Sequence, residues 1–321
     1  MVPGRIFQRV LRSDEIGVLA GLLVVCIALT FHPSSSQYFP TQSNLLQVAR
    51  QASYYGIMAV GMVFVLSMGD VDLSVGSILT LVNIVTAIAL RSGMPVPLAV
   101  LVGIATGAAC GFLNGALSVA LRIPTIIVTL GTMSVYRGLA LVWSNATPIS
   151  QFSKESALFT IGGGEILHIP TSAVVMVLVG MVGYVLFTQT PFGWRVQAIG
   201  SNAQAARFSG IPIARHRIMV MTLMGVISAI AGVMALAFLQ SADPTNGPGF
   251  ELLVIASAII GGTPLSGGAG TIFGAIMGAL LIAVIRNGLV LLSVPTYWSD
   301  TVTGIVIILA VAVGTLVKRK S

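Results

Sequence analysis

Apolar residues along this chain gather into long runs, not into the alternation of half-buried strands. Ten runs stand out: 16–31, 53–68, 75–91, 97–120, 125–144, 171–187, 216–239, 251–263, 271–292 and 299–317. A helix that crosses a bilayer needs roughly 20 predominantly apolar residues; the first, second and eighth runs are short of that. Only helices and closed barrels satisfy their backbone inside lipid, and no alternation here suits a barrel. The pattern predicts an all-α membrane protein, a polytopic helical bundle of about ten transmembrane helices. Residues 1–321 read as a single transmembrane domain. The longer outer connections, 32–52, 145–170 and 240–250, are rich in the Ser, Pro, Gly and Asn that turns require.

Composition agrees: 56% of the residues are hydrophobic and 8% charged, where a soluble domain carries about 25% charged residues. The net charge of +7 reads as topogenic lysine and arginine rather than a nucleic-acid surface. With both termini inside, ten spans place Arg5, Arg9, Arg12, Arg122, Arg195, Arg207, Arg215, Arg217, Lys318, Arg319 and Lys320 on the cytoplasmic side. Arg50, Arg91 and Lys154 fall outside, and Arg137 and Arg286 fall within spans. Arg5, Arg9 and Arg12 share one face of a short interfacial helix ahead of an uncleaved first span. Cys26 and Cys110 lie in apolar runs as packing residues, and no Cys/His cluster offers a metal site.

Small residues recur at helical spacing at Gly103, Gly107, Gly111 and Gly115, at Gly225, Ser228, Ala229 and Gly232, and at Gly270, Gly274 and Gly278. Such rows let helix backbones touch in lipid. Two internal echoes accompany them. Gly69–Gly76 and Gly261–Gly268 share the pattern G-x-x-x-L-S-x-G, and Asn114-Gly115 matches Asn287-Gly288.

The polar connection 188–215 holds its own helix signals. Ser201 and Gln204 have the spacing of a capping box, Ala205, Ala206, Arg207 and Phe208 continue a helix, Gly210 suits a left-handed C′ position, and Pro212 stops it. A connection this long and this ordered predicts a docking surface on the cytoplasmic side. The run Gly262–Gly270 has phosphate-loop glycine spacing but Gly268 and Ala269 stand where Lys and Ser/Thr are needed, so no nucleotide site follows. No carboxylate falls mid-span, which argues against ion-coupled secondary transport. An intramembrane enzyme would need a catalytic dyad, and none is visible. Uncharged polar rows suit a neutral hydroxylated solute: Ser77, Thr80 and Asn83; Thr125, Thr129, Thr132 and Tyr136; Asn114 and Asn287. Each of these residues also fits plain helix–helix hydrogen bonding, and Arg137 fits either a wet pathway or snorkelling.

Four blocks in order resemble the membrane permeases of bacterial ABC importers of the ribose and simple-sugar type, in the superfamily shared with branched-chain amino-acid permeases. They are Gly61–Leu66 with Asp72-Leu73-Ser74-Val75-Gly76-Ser77; Ile123-Pro124-Thr125 with Thr129–Met133 and Tyr136-Arg137-Gly138; Phe192-Gly193 with Gly200, Asn202, Ala205, Ala206, Ser209, Gly210 and Ile211; and Ile259–Thr263 with Leu265–Gly268. Asp70 and Ser201 stand where glycine is usual. The resemblance implies a monosaccharide, or alternatively a branched-chain amino acid, delivered by a periplasmic binding protein. It implies a second permease subunit, identical or paralogous, and cytoplasmic ABC ATPase subunits that bind ATP and Mg, with no cofactor on this chain. Gly200, Ser201, Asn202, Ala205, Ala206, Arg207, Ser209, Gly210 and Ile211 would then couple to the ATPase in a bacterial inner membrane.

Overall fold

The computed structural model describes residues 14–150, 152, 156–295, 298, 301, 302, 304, 305 and 308. The expected span 299–317, the basic termini and Lys154 lie largely or wholly outside them. Within them the apolar runs are helices: α1 (Asp14–Phe31), α2 (Gln42–Ser67), α3 (Val75–Arg91), α4 (Val96–Leu121), α5 (Thr125–Trp143), α6 (Thr171–Thr188), α9 (Ile213–Leu239), α10 (Phe250–Ile260) and α11 (Ile272–Leu291). Two further helices, α7 (Pro191–Ser201) and α8 (Ala203–Phe208), fill the connection 188–215. Five of the apolar helices, α4, α5, α6, α9 and α11, are long and apolar enough to cross a membrane on their own composition.

α2 is the middle of the bundle. From Tyr55 to Ser67 every residue is buried, because α9, α11, α6 and α10 surround it. A helix apolar all round must be enclosed on all sides. The outer connection expected at 32–52 is shorter than the hydropathy suggested: α2 begins at Gln42, capped by the Thr41 hydroxyl, which accepts from Asn44 N at 3.4 Å. Its polar first turns are held by tertiary partners. Asn44 and Asn287 exchange amide hydrogen bonds of 3.1 and 2.8 Å. Arg50 pairs with Glu165 at 3.3 Å and lies 4.2 Å from the Phe238 ring centroid.

Small residues fix the closest helix pairs. An added Cβ on Gly111 would collide with the Met221 carbonyl, and one on Gly225 with the Gly107 carbonyl. α4 and α9 therefore touch backbone to backbone, where dispersion replaces the absent hydrophobic drive. Gly278 sits in the same way on the Ser257 carbonyl, joining α11 to α10. Gly103 leaves the α4 row: it faces Thr86 of α3.

One span is broken. α10 has 11 residues, about 16 Å of helix at 1.5 Å per residue, roughly half a hydrocarbon core. The preceding segment 240–249 is non-helical until Gly249, at φ 90°. Its Gly247 packs against Gly76 at the start of α3, where a Cβ on either would strike the other's carbonyl. Near the same end of α9, Ile149 and Ala242 pair as an isolated antiparallel bridge. The connection 145–170 adds one turn of π-helix (Leu158–Gly162) and a two-strand hairpin, β1 (Glu165–Ile166) and β2 (Ile169–Pro170).

Candidate functional site

The connection between α6 and α9 is two helices with almost no loop. Thr190 caps α7 by accepting from Gly193 N at 3.4 Å, and Pro191 occupies the first turn, where its missing N–H costs nothing. The expected capping box is corrected: Ser201 is the last residue of α7, and the cap of α8 is Asn202, whose Oδ1 accepts from Ala205 N at 2.9 Å. Asn202 has extended backbone angles (φ −158°, ψ 97°) that break the helix between them, and a short amide reaches the third N–H on as well as a serine would. The end of α8 is as expected. Gly210 takes φ 78°, its N–H donates to Arg207 O at 3.0 Å, and Ile211 N donates to Ala206 O at 3.0 Å. This double bond is a Schellman motif.

The connection is seated on the bundle. Phe192 stacks between Phe64 of α2 and His216 of α9, at centroid distances of 6.0 and 6.1 Å. Gln197 Nε2 donates to Phe187 O at 3.1 Å. Gly200 lies on the Ser67 carbonyl so closely that no Cβ fits. The two echoing loops meet here: Gly268 N donates to Ser67 O at 2.8 Å, Ser67 Oγ to Ala269 O at 2.7 Å, and Gly267 abuts Gly69. Gly69, Gly267 and Gly268 all have positive φ, which permits this close three-way approach. In α8, Ala206 faces inward and is buried, whereas Asn202, Ala205, Arg207, Ser209 and Gly210 are exposed and Ile211 is half-buried. Phe208 is 82% exposed; sequence reading treated it only as helix continuation.

Beneath this platform the short connection from α2 to α3 turns inward and carries two buried carboxylates. Asp70 accepts from Arg217 Nε and from Thr125 Oγ1, both at 2.8 Å. Asp72 is fully buried; its Oδ1 accepts from Ser74 N at 2.8 Å and Ser74 Oγ at 2.7 Å, while Oδ2 has no hydrogen-bond partner among the described residues. Burial raises the Asp72 carboxyl above the ordinary carboxylate range, with the Ser74 bonds pulling the other way. Asn114 Nδ2 donates to Ser74 Oγ at 2.8 Å, and the Tyr136 hydroxyl donates to Asn114 Oδ1 at 3.0 Å. Leu73 N donates to Thr129 Oγ1 at 3.2 Å. Sequence reading named Asn114, Thr129 and Tyr136 but missed Asp70, Asp72 and Arg217 as members. The segment Asp72–Ser77 stood out in the sequence as a resembling block; its distant partners did not.

The remaining residues expected along a pathway are spread out. Ser77, Thr80 and Asn83 of α3 are buried. Thr80 Oγ1 bonds its own Gly76 carbonyl at 3.1 Å, and Asn83 Oδ1 has no hydrogen-bond partner among the described residues. Thr132 donates to Thr129 O at 3.4 Å. Asn287 is apart from this set, paired with Asn44 on α2, and Arg137 is exposed on α5.

The described residues form a bundle with five helices long and apolar enough to cross a membrane and an ordered two-helix platform at one end. The fold matches a metal-chelate type ABC transporter in an inward-facing conformation, at a TM-score of 0.53 over 94% of this chain and 98% of that one, with 15% identity. At that identity the likeness is one of fold alone. Residues 44–311 match the family model of branched-chain amino acid transport system permease components, and the chain belongs to that family. It is 40% identical to the ribose import permease of Bacillus subtilis (strain 168), over 93% of this chain and 92% of that one. It is 36% identical to the D-allose transport system permease of Escherichia coli (strain K12), over 93% and 91%. It is 34% identical to the L-arabinose permease of Azospirillum brasilense, over 96% and 88%.

Proposed function

We propose that this multi-pass membrane protein is the permease subunit of an ATP-driven ABC importer for a monosaccharide, with the α7–α8 platform as its coupling surface. The observation that carries the sugar class is full-length similarity at 34–40% identity to permeases named for ribose, allose and arabinose. The family's own description names amino acids, and the experiment below separates the two. In this reading the platform end is cytoplasmic, as the positive-inside rule places Arg195, Arg207 and Arg215, and the membrane is a bacterial inner membrane. A second permease subunit, identical or paralogous, and a periplasmic binding protein complete the pathway. ATP and Mg bind the partner ATPase, and this chain contributes no cofactor and no catalytic residue.

What the chain's own residues do is mechanical. Phe208 and Ala205, three apart on the exposed side of α8, offer an aromatic anchor and a smooth neighbour to an ATPase cleft. Ala206, Gly200 and Phe192 tie α7 and α8 to α2 and α9, so a displacement of the platform is passed on, not absorbed. The broken span at Gly247–Gly249 and the inward turn at 70–74 are the irregular backbone whose rearrangement would open or close the interior.

The test is reconstitution of the chain with its ATPase and binding protein in proteoliposomes. Binding protein loaded with ribose, allose, arabinose or leucine is added, and ATP hydrolysis is measured with uptake. A sugar is expected to stimulate both. Stimulation by leucine alone would transfer the chain to the amino-acid branch. Ala205→Arg is expected to abolish uptake while leaving membrane insertion intact, since Ala205 is exposed. Uptake at the parent rate in that variant would sink the docking assignment.

A further inference from the structure

Two ion pairs are present among the described residues, and the second, Arg217–Asp70, lies under the platform. Arg217 is in the second turn of α9, five residues beyond Pro212, with no helix break between. Any movement of α8 carried through Pro212 moves this guanidinium as part of a rigid helix. Its Nε grips Asp70 Oδ2 at 2.8 Å, and Asp70 is 8% exposed. The other oxygen of the same carboxylate accepts from Thr125 Oγ1, the first residue of α5. One carboxylate thus joins three elements: the span that follows the platform, the first turn of α5 and the inward turn between α2 and α3.

Asp70 also opens the segment that carries the buried Asp72–Ser74 network. Its N–H is fixed to Val65 O at 3.1 Å. Two residues on, Asp72 and Ser74 hold Asn114 and Tyr136, and Leu73 holds Thr129. Immediately after, Gly76 abuts Gly247 of the broken span. A pull on Asp70 therefore acts on the segment that sets where α3 begins and how it meets 240–249.

We propose that the Arg217–Asp70 pair, with Thr125 as its second anchor, is the joint through which displacement of the platform reaches the interior. The inference rests on the coupling role given to α7–α8 above. Arg217 and Asp70 act as positioning residues and touch no solute. The pair is directional and charge-assisted, with its carboxylate buried and its guanidinium half-buried, so it transmits a shift where an apolar contact would slip. Removing Arg217 leaves the buried Asp70 carboxylate without its charged partner, and removing the Asp70 charge frees the half-buried guanidinium; either loosens the joint.

The experiment uses the reconstituted importer and reads solute moved per ATP hydrolysed. The parent assembly is measured first: if it moves no solute on ATP, the coupling reading fails before any variant is tested. Asp70→Asn and Arg217→Gln are expected to assemble, to retain ATP hydrolysis, and to move about tenfold less solute per ATP, the size of a typical coupling between sites. The double variant is expected to be no worse than the worse single, because the joint is already open. A parent-like ratio in either single variant, or losses that multiply in the double, would overturn the proposal. If the neutral variants do not assemble, Arg217→Lys keeps the charge but not the Nε geometry; it is expected to lower the ratio, and an unchanged ratio would overturn the joint.

Discussion

Asp72 shows how one residue in this protein is governed by burial rather than by its neighbours in sequence. Its folded-state pKa lies above the ordinary value of 3.8 because the carboxylate is out of water, so the folded protein holds the proton more tightly than the unfolded chain. Stability from this group is present at low pH and falls as pH rises through the window that opens near the unfolded value. Asp72→Asn keeps an oxygen for Ser74 N, removes the charge and is expected to leave the thermal midpoint at pH 7 equal or higher, with a weaker pH dependence. Asp72→Leu strands Ser74 N and Oγ and is expected to cost on the order of 1–3 kcal/mol. A midpoint for Asp72→Asn several degrees below the parent at pH 7 would show that the charge itself is needed.

At the scale of the element, short helices here depend on single caps. α8 has 6 residues, far below the ~12–15 at which an isolated helix becomes stable in water. Its order comes from Asn202 at one end and the Gly210–Ile211 motif at the other. Asn202→Ala is expected to cost about 1 kcal/mol locally, seen as faster amide exchange over 203–208 with the rest of the chain unchanged. The α4–α9 seam offers the opposite case. Gly111→Leu would drive a side chain into the Met221 backbone and is expected to prevent stable folding, measured as loss of monodisperse protein in detergent. Gly131→Ala, with nothing within 4 Å of the added atom, is expected to be neutral or to gain about 0.5–1 kcal/mol from helix propensity. Reversal of that order would mean the helices can separate at the seam.

For the whole molecule, the energy source is the decisive property. Uptake by the reconstituted importer is expected to stop when a non-hydrolysable ATP analogue replaces ATP, and to continue when proton and sodium gradients are collapsed by ionophores. Loss of uptake on gradient collapse, with ATP present, would return the chain to the secondary transporters, with the buried Asp70 and Asp72 as the carboxylates to test. The same scale explains why α5 and α6 are mostly uncovered by their own chain while α2 is enclosed: a subunit in lipid leaves apolar faces outward at no solvent cost.

Hydropathy was enough for a helical membrane protein and for most span positions, because lipid forces backbone hydrogen bonds to close within each helix; α8 was legible from its stop signals at Gly210 and Pro212. α3 runs over the expected 75–91, and α4, α5, α6 and α11 end within one residue of expectation. Where polarity and structure part company, sequence was silent: the first turns of α2 are polar but helical because Asn287, Glu165 and Phe238 wait for them, and α7 forms because Phe192 and Gln197 find partners on α2, α6 and α9. The cap of α8 moved by one residue, a choice between two adjacent side chains able to do the same job. Tertiary structure alone decided that Asp70 meets Arg217, 147 positions away, and that Asp72 meets Ser74 and Asn114 inside the bundle. Local sequence specifies what a segment can form, but which charges are buried together is set by how the helices pack.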